Sequence, residues 1–263
     1  MTRLMTPAVP RPAVARAAVL AAVLAMAAAC GSGTSTTGVA DRQTTLTVSA
    51  AASLTETFTD LAHRFEDAHP GVKVSLNFGG SAQLAQQVIS GAPVDVFAAA
   101  SQATMDQVTE AGEATGTPTV FARNVLEIAV PAGNPARIRS LTDFGRDSLR
   151  LAVCLPKVPC GAAAQQIFAA AGVKARPDTL EDDVRGVLTK VELGEVDAGL
   201  VYRTDVRSAG SKVQGINFPE QDKVVNDYPI VSVSGSSAAS QFVAFVLSDT
   251  GRSVMTGAGF QQP

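Results

Sequence analysis

Ser53 lies where a predicted strand passes directly into a predicted helix. Residues 48–52 are small or branched, which predicts the end of a buried strand. Ser53 and Glu56 have the spacing of a capping box, with the serine as N-cap. The helix is indicated by apolar residues at helical spacing: Leu54, Phe58, Leu61, Ala62 and Phe65. Because free N–H groups meet at a helix N-terminus, Ser53 marks a candidate anion site. The alternative is that Ser53 only caps its helix.

Three more corners between predicted strands and helices carry small residues: Gly80-Ser81, Cys160-Gly161 and Asp183-Val184. Parallel sheets bind ligands at the carboxyl ends of their strands, where such corners lie. Neither Ser53 nor Ser81 has a lysine or arginine beside it. Neutral donors suit an anion that must be released again, because no fixed countercharge is buried. The four corners therefore predict a cleft that holds a small anion.

The elements that must position these corners alternate between strands and helices from residue 44 onward. Repeated β-α units predict an α/β fold with a largely parallel sheet. Strands are predicted at 46–50, 72–78, 94–98, 124–130, 149–155, 198–202 and 228–233, and helices at 53–69, from 81, at 162–171, from 184 and around 242–247. The order fits two lobes. Lobe 1 comprises 44–125 and 228–263, and lobe 2 comprises 126–227, with crossovers near 124–130 and 226–233.

The first 29 residues have the pattern of a secretory signal. Three arginines precede an apolar run at 17–26, which is too short to span a membrane, and small residues follow it. The junction Ala27-Ala28-Ala29-Cys30 resembles a bacterial lipoprotein signal, in which Cys30 would carry the lipid. The alternative is simple secretion with cleavage nearby. Residues 30–43 are then expected to form a flexible tether, because glycine, serine and threonine dominate their first part.

Charge and cysteine usage limit the function classes. Without the three arginines of the signal, 18 basic residues remain against 24 acidic ones, a net charge of −6, which argues against a nucleic-acid partner. Beyond Cys30, the chain has Cys154 and Cys160, with five residues between them. An even pair in an exported protein is a disulfide candidate. A protein metal site is not expected, because the two histidines would point in different directions along their helix.

Six segments together resemble the molybdate-binding proteins, and they occur in the family's order from about Leu46 to the C-terminus. In lobe 1 the segments are 50–54, 78–88 and 91–97. In lobe 2 they are 151–161, which ends in Val158-Pro159-Cys160-Gly161, then 181–188, with Asp183-Val184-Arg185-Gly186, and 199–202. Single pieces are weak signals, whereas six in register form a specific one.

The resemblance implies a two-lobed solute-binding protein of type II that feeds an ABC importer. It implies that Ser53 and Ser81 bind the oxyanion through hydroxyl and N–H groups, Cys160 and Val184 through backbone N–H groups, and Tyr202 through its hydroxyl. The family usually has alanine where this chain has Cys160. A membrane permease and a cytoplasmic ATPase are the implied partners. No cofactor, no nucleic acid and a monomeric state are expected, and molybdenum enters only as molybdate or tungstate.

Three alternatives remain open from the sequence. A serine hydrolase would need Gly-x-Ser-x-Gly, and the nearest match, around Ser81, lacks the final glycine. A sulfate or phosphate carrier on the same fold would differ in the pocket, by an arginine or an acceptor carboxylate. A surface adhesin would need no oxyanion pocket. An all-donor pocket favours a fully deprotonated dianion, because hydrogen phosphate brings a proton with no acceptor, and sulfate would be excluded only by its size.

Overall fold

The computed structural model describes residues 43–263, so the predicted signal, Cys30 and the tether as far as residue 42 lie outside the described residues. The described residues form nine strands: β1 (Thr44–Ala51), β2 (Val72–Gly79), β3 (Val96–Ala98), β4 (Thr119–Pro131), β5 (Leu151–Cys154), β6 (Thr179–Glu181), β7 (Ala198–Tyr202), β8 (Val213–Ile216) and β9 (Val225–Ser232). They also form eight α-helices: α1 (Thr55–Ala68), α2 (Ser81–Ile89), α3 (Gln102–Glu110), α4 (Pro159–Ala171), α5 (Val184–Glu192), α6 (Arg203–Ala209), α7 (Ser237–Leu247) and α8 (Asp249–Ala258).

Two parallel groups of strands form the two halves of the sheet. In one half, β1 pairs in parallel with β2 and β3, and β9 runs antiparallel beside β3. In the other half, β5 pairs in parallel with β6 and β7. The predicted α/β class is therefore confirmed, since helices follow most strands in both halves.

The long strand β4 joins the two halves. Its first part, 119–125, pairs with β9, and its second part pairs with β7 and β8. These two strands contain the passages near 124–130 and 226–233 that were expected to cross between lobes. The numerical boundaries of lobe 1 and lobe 2 stay a prediction.

Apolar faces of the helices bury the sheet on both sides. In lobe 1, α1 directs Phe58 and Phe65 into an aromatic cluster, where the Phe65 ring meets Phe242 of α7 at 5.1 Å between centroids. The cluster continues through Phe121 to Tyr228 of β9, below the end of β1. None of the described helices combines the length and apolar character needed to cross a membrane.

The prediction that Ser53 caps the first helix is wrong. A 3₁₀ turn, Ala52–Leu54, follows β1, and α1 begins only at Thr55, with Leu54 at its N-cap and no side-chain cap bond. The Ser53 hydroxyl bonds to the Tyr228 hydroxyl instead, at 2.9 Å. Three helices are missing from the sequence prediction, namely α3, α6 and α8, and α4 begins three residues earlier than predicted, at Pro159.

Gly161 allows the first turn of α4 to pack directly on the backbone at the end of β5. A Cβ at this position would overlap the carbonyl oxygen of Leu155 and crowd that of Cys154. We therefore expect Gly161→Ala to lower the free energy of unfolding by about 1–3 kcal/mol, the usual cost of overpacking. Urea unfolding with the disulfide kept intact measures this. Gly257→Ala in α8 is the control, because a Cβ there meets open space and should cost nothing. Equal stability of the two variants would contradict the packing argument.

Candidate functional site

The four predicted corners meet around one small pocket. About 230 Å³ of empty space lies in it, part of which is open to solvent, and both lobes contribute to its wall. All five residues that the sequence assigned to an oxyanion line it: Ser53, Ser81, Cys160, Val184 and Tyr202. The structure thus brings the predicted set together, while their role as ligands stays a prediction.

The hydroxyl of Ser81 can donate a hydrogen bond to a group in the pocket. Its oxygen accepts a hydrogen bond from the backbone N–H of Ala100 at 3.0 Å, so its own proton remains available. The Ser53 hydroxyl is tied in a similar way to Tyr228. When the Tyr228 hydroxyl donates, the proton of Ser53 is free to point into the pocket.

On α4 and α5 the local sequence selects which N–H group remains free. A helix leaves its first N–H groups without internal partners. On α4, Pro159 has no N–H and the Ala162 N–H already bonds to the Val158 carbonyl. On α5, the Asp183 carboxylate accepts from the N–H groups of Arg185 and Gly186. Cys160 and Val184 therefore offer the first free donors of their helices.

A disulfide between Cys154 and Cys160 fixes the α4 corner to the end of β5. Both cysteines are buried, and Cys160 lines the pocket. It closes a loop of only five intervening residues, which include Pro156 and Pro159. The backbone that carries the Cys160 N–H is thereby constrained from both sides.

Tyr202 has a hydroxyl group with no hydrogen-bond partner among the described residues. Its side chain is 1% exposed, and its ring packs edge-on against Tyr228. Burial raises the pKa of the Tyr202 hydroxyl well above its ordinary value, with Tyr228 and Asp205 adding to the effect. The hydroxyl therefore stays protonated, as a donor. An orphaned buried donor is uncommon in folded proteins and needs an explanation.

The two lobes approach each other closely at one edge of the pocket. A Cβ at Gly80 would lie 2.5 Å from the carbonyl oxygen of Asp182 in lobe 2, so only glycine fits between the lobes there. Among the described residues that line the pocket there is no lysine, arginine or histidine. Asp182 and Asp183 do line it, and one oxygen of the Asp183 carboxylate already caps α5. The wall consequently presents helix N-termini and hydroxyl groups.

Asp205 was missed by the sequence reasoning. It is 1% exposed and lies on α6, where its carboxylate accepts the backbone N–H of Tyr202 at 2.9 Å. Burial raises the pKa of Asp205 to about 7, although the Tyr202 N–H and the Arg185 guanidinium favour its charged form. The spacing Tyr202-x-x-Asp205 is a local signal of an acid in a first helical turn, but it does not reveal the burial.

Comparisons with known proteins agree with this architecture. Residues 46–261 match the family model of the bacterial extracellular solute-binding proteins. The molybdate-binding protein ModA of Mycobacterium tuberculosis H37Rv is 43% identical over 251 residues, covering 93% of this chain and 96% of that relative. Two solved structures share the fold. The sulfate-binding protein SubI of M. tuberculosis H37Rv has a TM-score of 0.72 at 20% identity, over 83% of this chain and 87% of that one. The periplasmic molybdate-binding protein of Azotobacter vinelandii has a TM-score of 0.70 at 21% identity, over 83% and 99%.

These likenesses confirm the predicted two-lobed solute-binding fold. The fold does not identify the bound anion, because a sulfate-binding and a molybdate-binding protein share this fold at similar TM-scores. The chemistry of the pocket and the 43% identity to a molybdate-binding protein therefore have to identify the anion.

Asp205 should make the stability of the fold depend on pH. In the folded protein the pKa of Asp205 is about 7, above its ordinary value of 3.8. The contribution of Asp205 to the free energy of unfolding is therefore greatest below pH 4 and is lost as the pH rises through 7. We expect Asp205→Asn to be more stable than the parent protein at pH 8 by on the order of 1–4 kcal/mol, with the difference shrinking by pH 5. Urea unfolding at both pH values measures it. The exposed Asp60→Asn is the control, and parallel pH profiles for Asp205→Asn and the parent protein would contradict the assignment.

Proposed function

Because the chain belongs to the family of bacterial extracellular solute-binding proteins, where its 43% identical relative is a molybdate-binding protein, we propose that it captures molybdate between its two lobes. Tungstate, which has the same charge and nearly the same size, is the expected second ligand. The bound anion is then delivered to an ABC importer. The observation that carries the proposal is the buried Tyr202 hydroxyl, which makes no close hydrogen bond to the protein and belongs to a residue on the wall of a pocket where helices begin.

The donor set favours a fully deprotonated oxyanion. Ser53, Ser81 and Tyr202 supply hydroxyl groups, and the corners of α2, α4 and α5 supply N–H groups at helix N-termini, which favour negative charge. Hydrogen phosphate would bring a proton that needs an acceptor in a nearly dry site. Two acidic residues, Asp182 and Asp183, are on the wall, and the Asp183 carboxylate is engaged as a helix cap.

A sulfate or phosphate carrier is the competing function. Sulfate remains an alternative because the sulfate-binding protein shares the fold. Phosphate remains an alternative because the second carboxylate oxygen of Asp183 could accept its proton. Size is the remaining filter between sulfate and molybdate. The close approach of Gly80 to Asp182 sets how far the lobes can close, and hence the smallest anion that all donors reach together.

The proposal includes further points about the working protein. It acts by binding, without catalysis and without a cofactor. A permease on a separate chain receives the anion, and an ATPase on another chain drives its transport. The protein acts outside the cytoplasm, as a monomer held at the membrane by a lipid on Cys30. The tether that the sequence predicts after Cys30 would let the two lobes reorient toward the permease.

Calorimetric titration of the chain from Gly31 onward tests the cargo. We expect one-to-one binding of molybdate and tungstate at neutral pH, and no heat with sulfate or phosphate at the same concentrations. Saturable sulfate or phosphate binding would keep the fold and reassign the anion. Silence with all four anions would refute the oxyanion pocket.

Tyr202→Phe isolates the orphaned hydroxyl. A hydrogen bond to a charged group contributes about 1.5–3 kcal/mol, so the affinity for molybdate should fall by about ten- to a hundred-fold. The unfolding free energy of the ligand-free protein should fall by less than in Tyr228→Phe, because the Tyr202 hydroxyl makes no close hydrogen bond and interacts only with the nearby Tyr228 hydroxyl.

Tyr228→Phe is the matched control for this test. Its hydroxyl is bonded to Ser53, so its removal should lower ligand-free stability as well as affinity. Unchanged affinity in Tyr202→Phe would remove Tyr202 from the binding site.

A further inference from the structure

We propose that Glu56 and Arg185 form a cleft latch, an ion pair that closes across the two lobes and prolongs the residence of the bound anion. This inference rests on the proposed function and deepens it. The guanidinium Nη2 of Arg185 lies 2.9 Å from Oε1 of Glu56. Neither side chain lines the anion pocket, so the latch acts through the lobes and not by contact with the anion.

The latch follows directly from the corners that form the pocket. Glu56 lies three residues after Ser53, in the first turn of α1 in lobe 1. Arg185 comes directly after Val184, in the first turn of α5 in lobe 2. Because both residues adjoin predicted anion ligands, any separation of the lobes that opens the pocket also separates this pair.

The other ion pairs of the described residues do not have this placement. They lie within one lobe, except for Arg123–Asp227, which joins the paired strands β4 and β9 where the lobes are already connected. Glu56–Arg185 is the pair that links a helix of lobe 1 to a helix of lobe 2. At the opposite edge of the pocket, Gly80 approaches Asp182 by packing alone.

Arg185 is positioned for this role by its own lobe. Asp183 accepts its backbone N–H, and its Nη1 lies 3.5 Å from the Ser208 hydroxyl of α6. Its side chain is 34% exposed and that of Glu56 is 50% exposed, so solvent and salt screen the pair. Pairs of this kind are weak, and we expect the latch to change the release rate by about two- to five-fold.

The sign of the effect separates a latch from a simple charge effect. Glu56→Gln removes a negative charge near a bound dianion. If Glu56 acted only through its charge, this substitution would strengthen binding. If Glu56 is half of a latch, the same substitution speeds release and weakens binding. Asp60→Asn is the matched control, because Asp60 lies one turn further along α1, carries the same charge and pairs only with Arg64 of its own helix.

The test measures the molybdate dissociation rate by stopped flow for the parent protein, Glu56→Gln, Arg185→Gln and the double variant. We expect about two- to five-fold faster release in each single variant and no further increase in the double variant. The difference should shrink at 1 M salt, and Asp60→Asn should release at the parental rate. Unchanged or slower release in Glu56→Gln overturns the latch while leaving molybdate binding intact.

A second readout does not depend on the cargo. Spin labels on cysteines at the exposed positions Asp67 and Leu193, at the ends of α1 and α5, report the distance between lobes in the ligand-free protein. We expect Glu56→Gln to shift the distance distribution toward longer separations. If the parent protein binds none of the tested anions, the proposed function fails, and this distribution alone decides the latch. Identical distributions would overturn it.

Discussion

The structure depends on one constraint, which is that a small dianion must be held without a buried counter-cation. Parallel strands of both lobes end at the same crevice, and the helices α2, α4 and α5 that follow three of them begin at its wall. Helix dipoles stabilise negative charge only over the first turn, so the donors have to be placed within a few ångströms of each other. Much of the remaining architecture can be understood as a means of placing them.

Three rigid devices provide that placement. Gly161 lets α4 start directly on the carbonyl groups that end β5, and the Cys154–Cys160 disulfide holds the same corner covalently. Gly80 lets lobe 1 reach the backbone of lobe 2 at Asp182. Each device replaces side-chain adaptability with a fixed backbone position. A pocket built in this way can discriminate by size, because its walls cannot shrink around a smaller anion.

The sequence predicts the local part of this arrangement well and the long-range part poorly. Strand β7 lies at Ala198–Tyr202 as predicted, since five apolar or aromatic residues follow a turn. The role of Ser53 as a cap is wrong because its partner, Tyr228, is 175 residues away. Helix α6 escapes prediction because only Val206 and Ala209 among its seven residues are apolar. Helix α8 escapes it because Gly251 and Gly257 lower its helix propensity.

The pairing of Tyr202 with Asp205 shows why the site cannot be derived from its donors alone. The Asp205 carboxylate accepts the Tyr202 N–H and so helps to fix a residue that lines the pocket. A carboxylate at this position places a negative charge beside Tyr202, which lines the proposed site of a dianion. Burial raises the pKa of Asp205 to about 7, so near neutral pH a large share of the molecules carry it protonated. A nearby dianion would favour that neutral form further. Burial therefore reduces the average charge on the carboxyl group that holds the Tyr202 backbone.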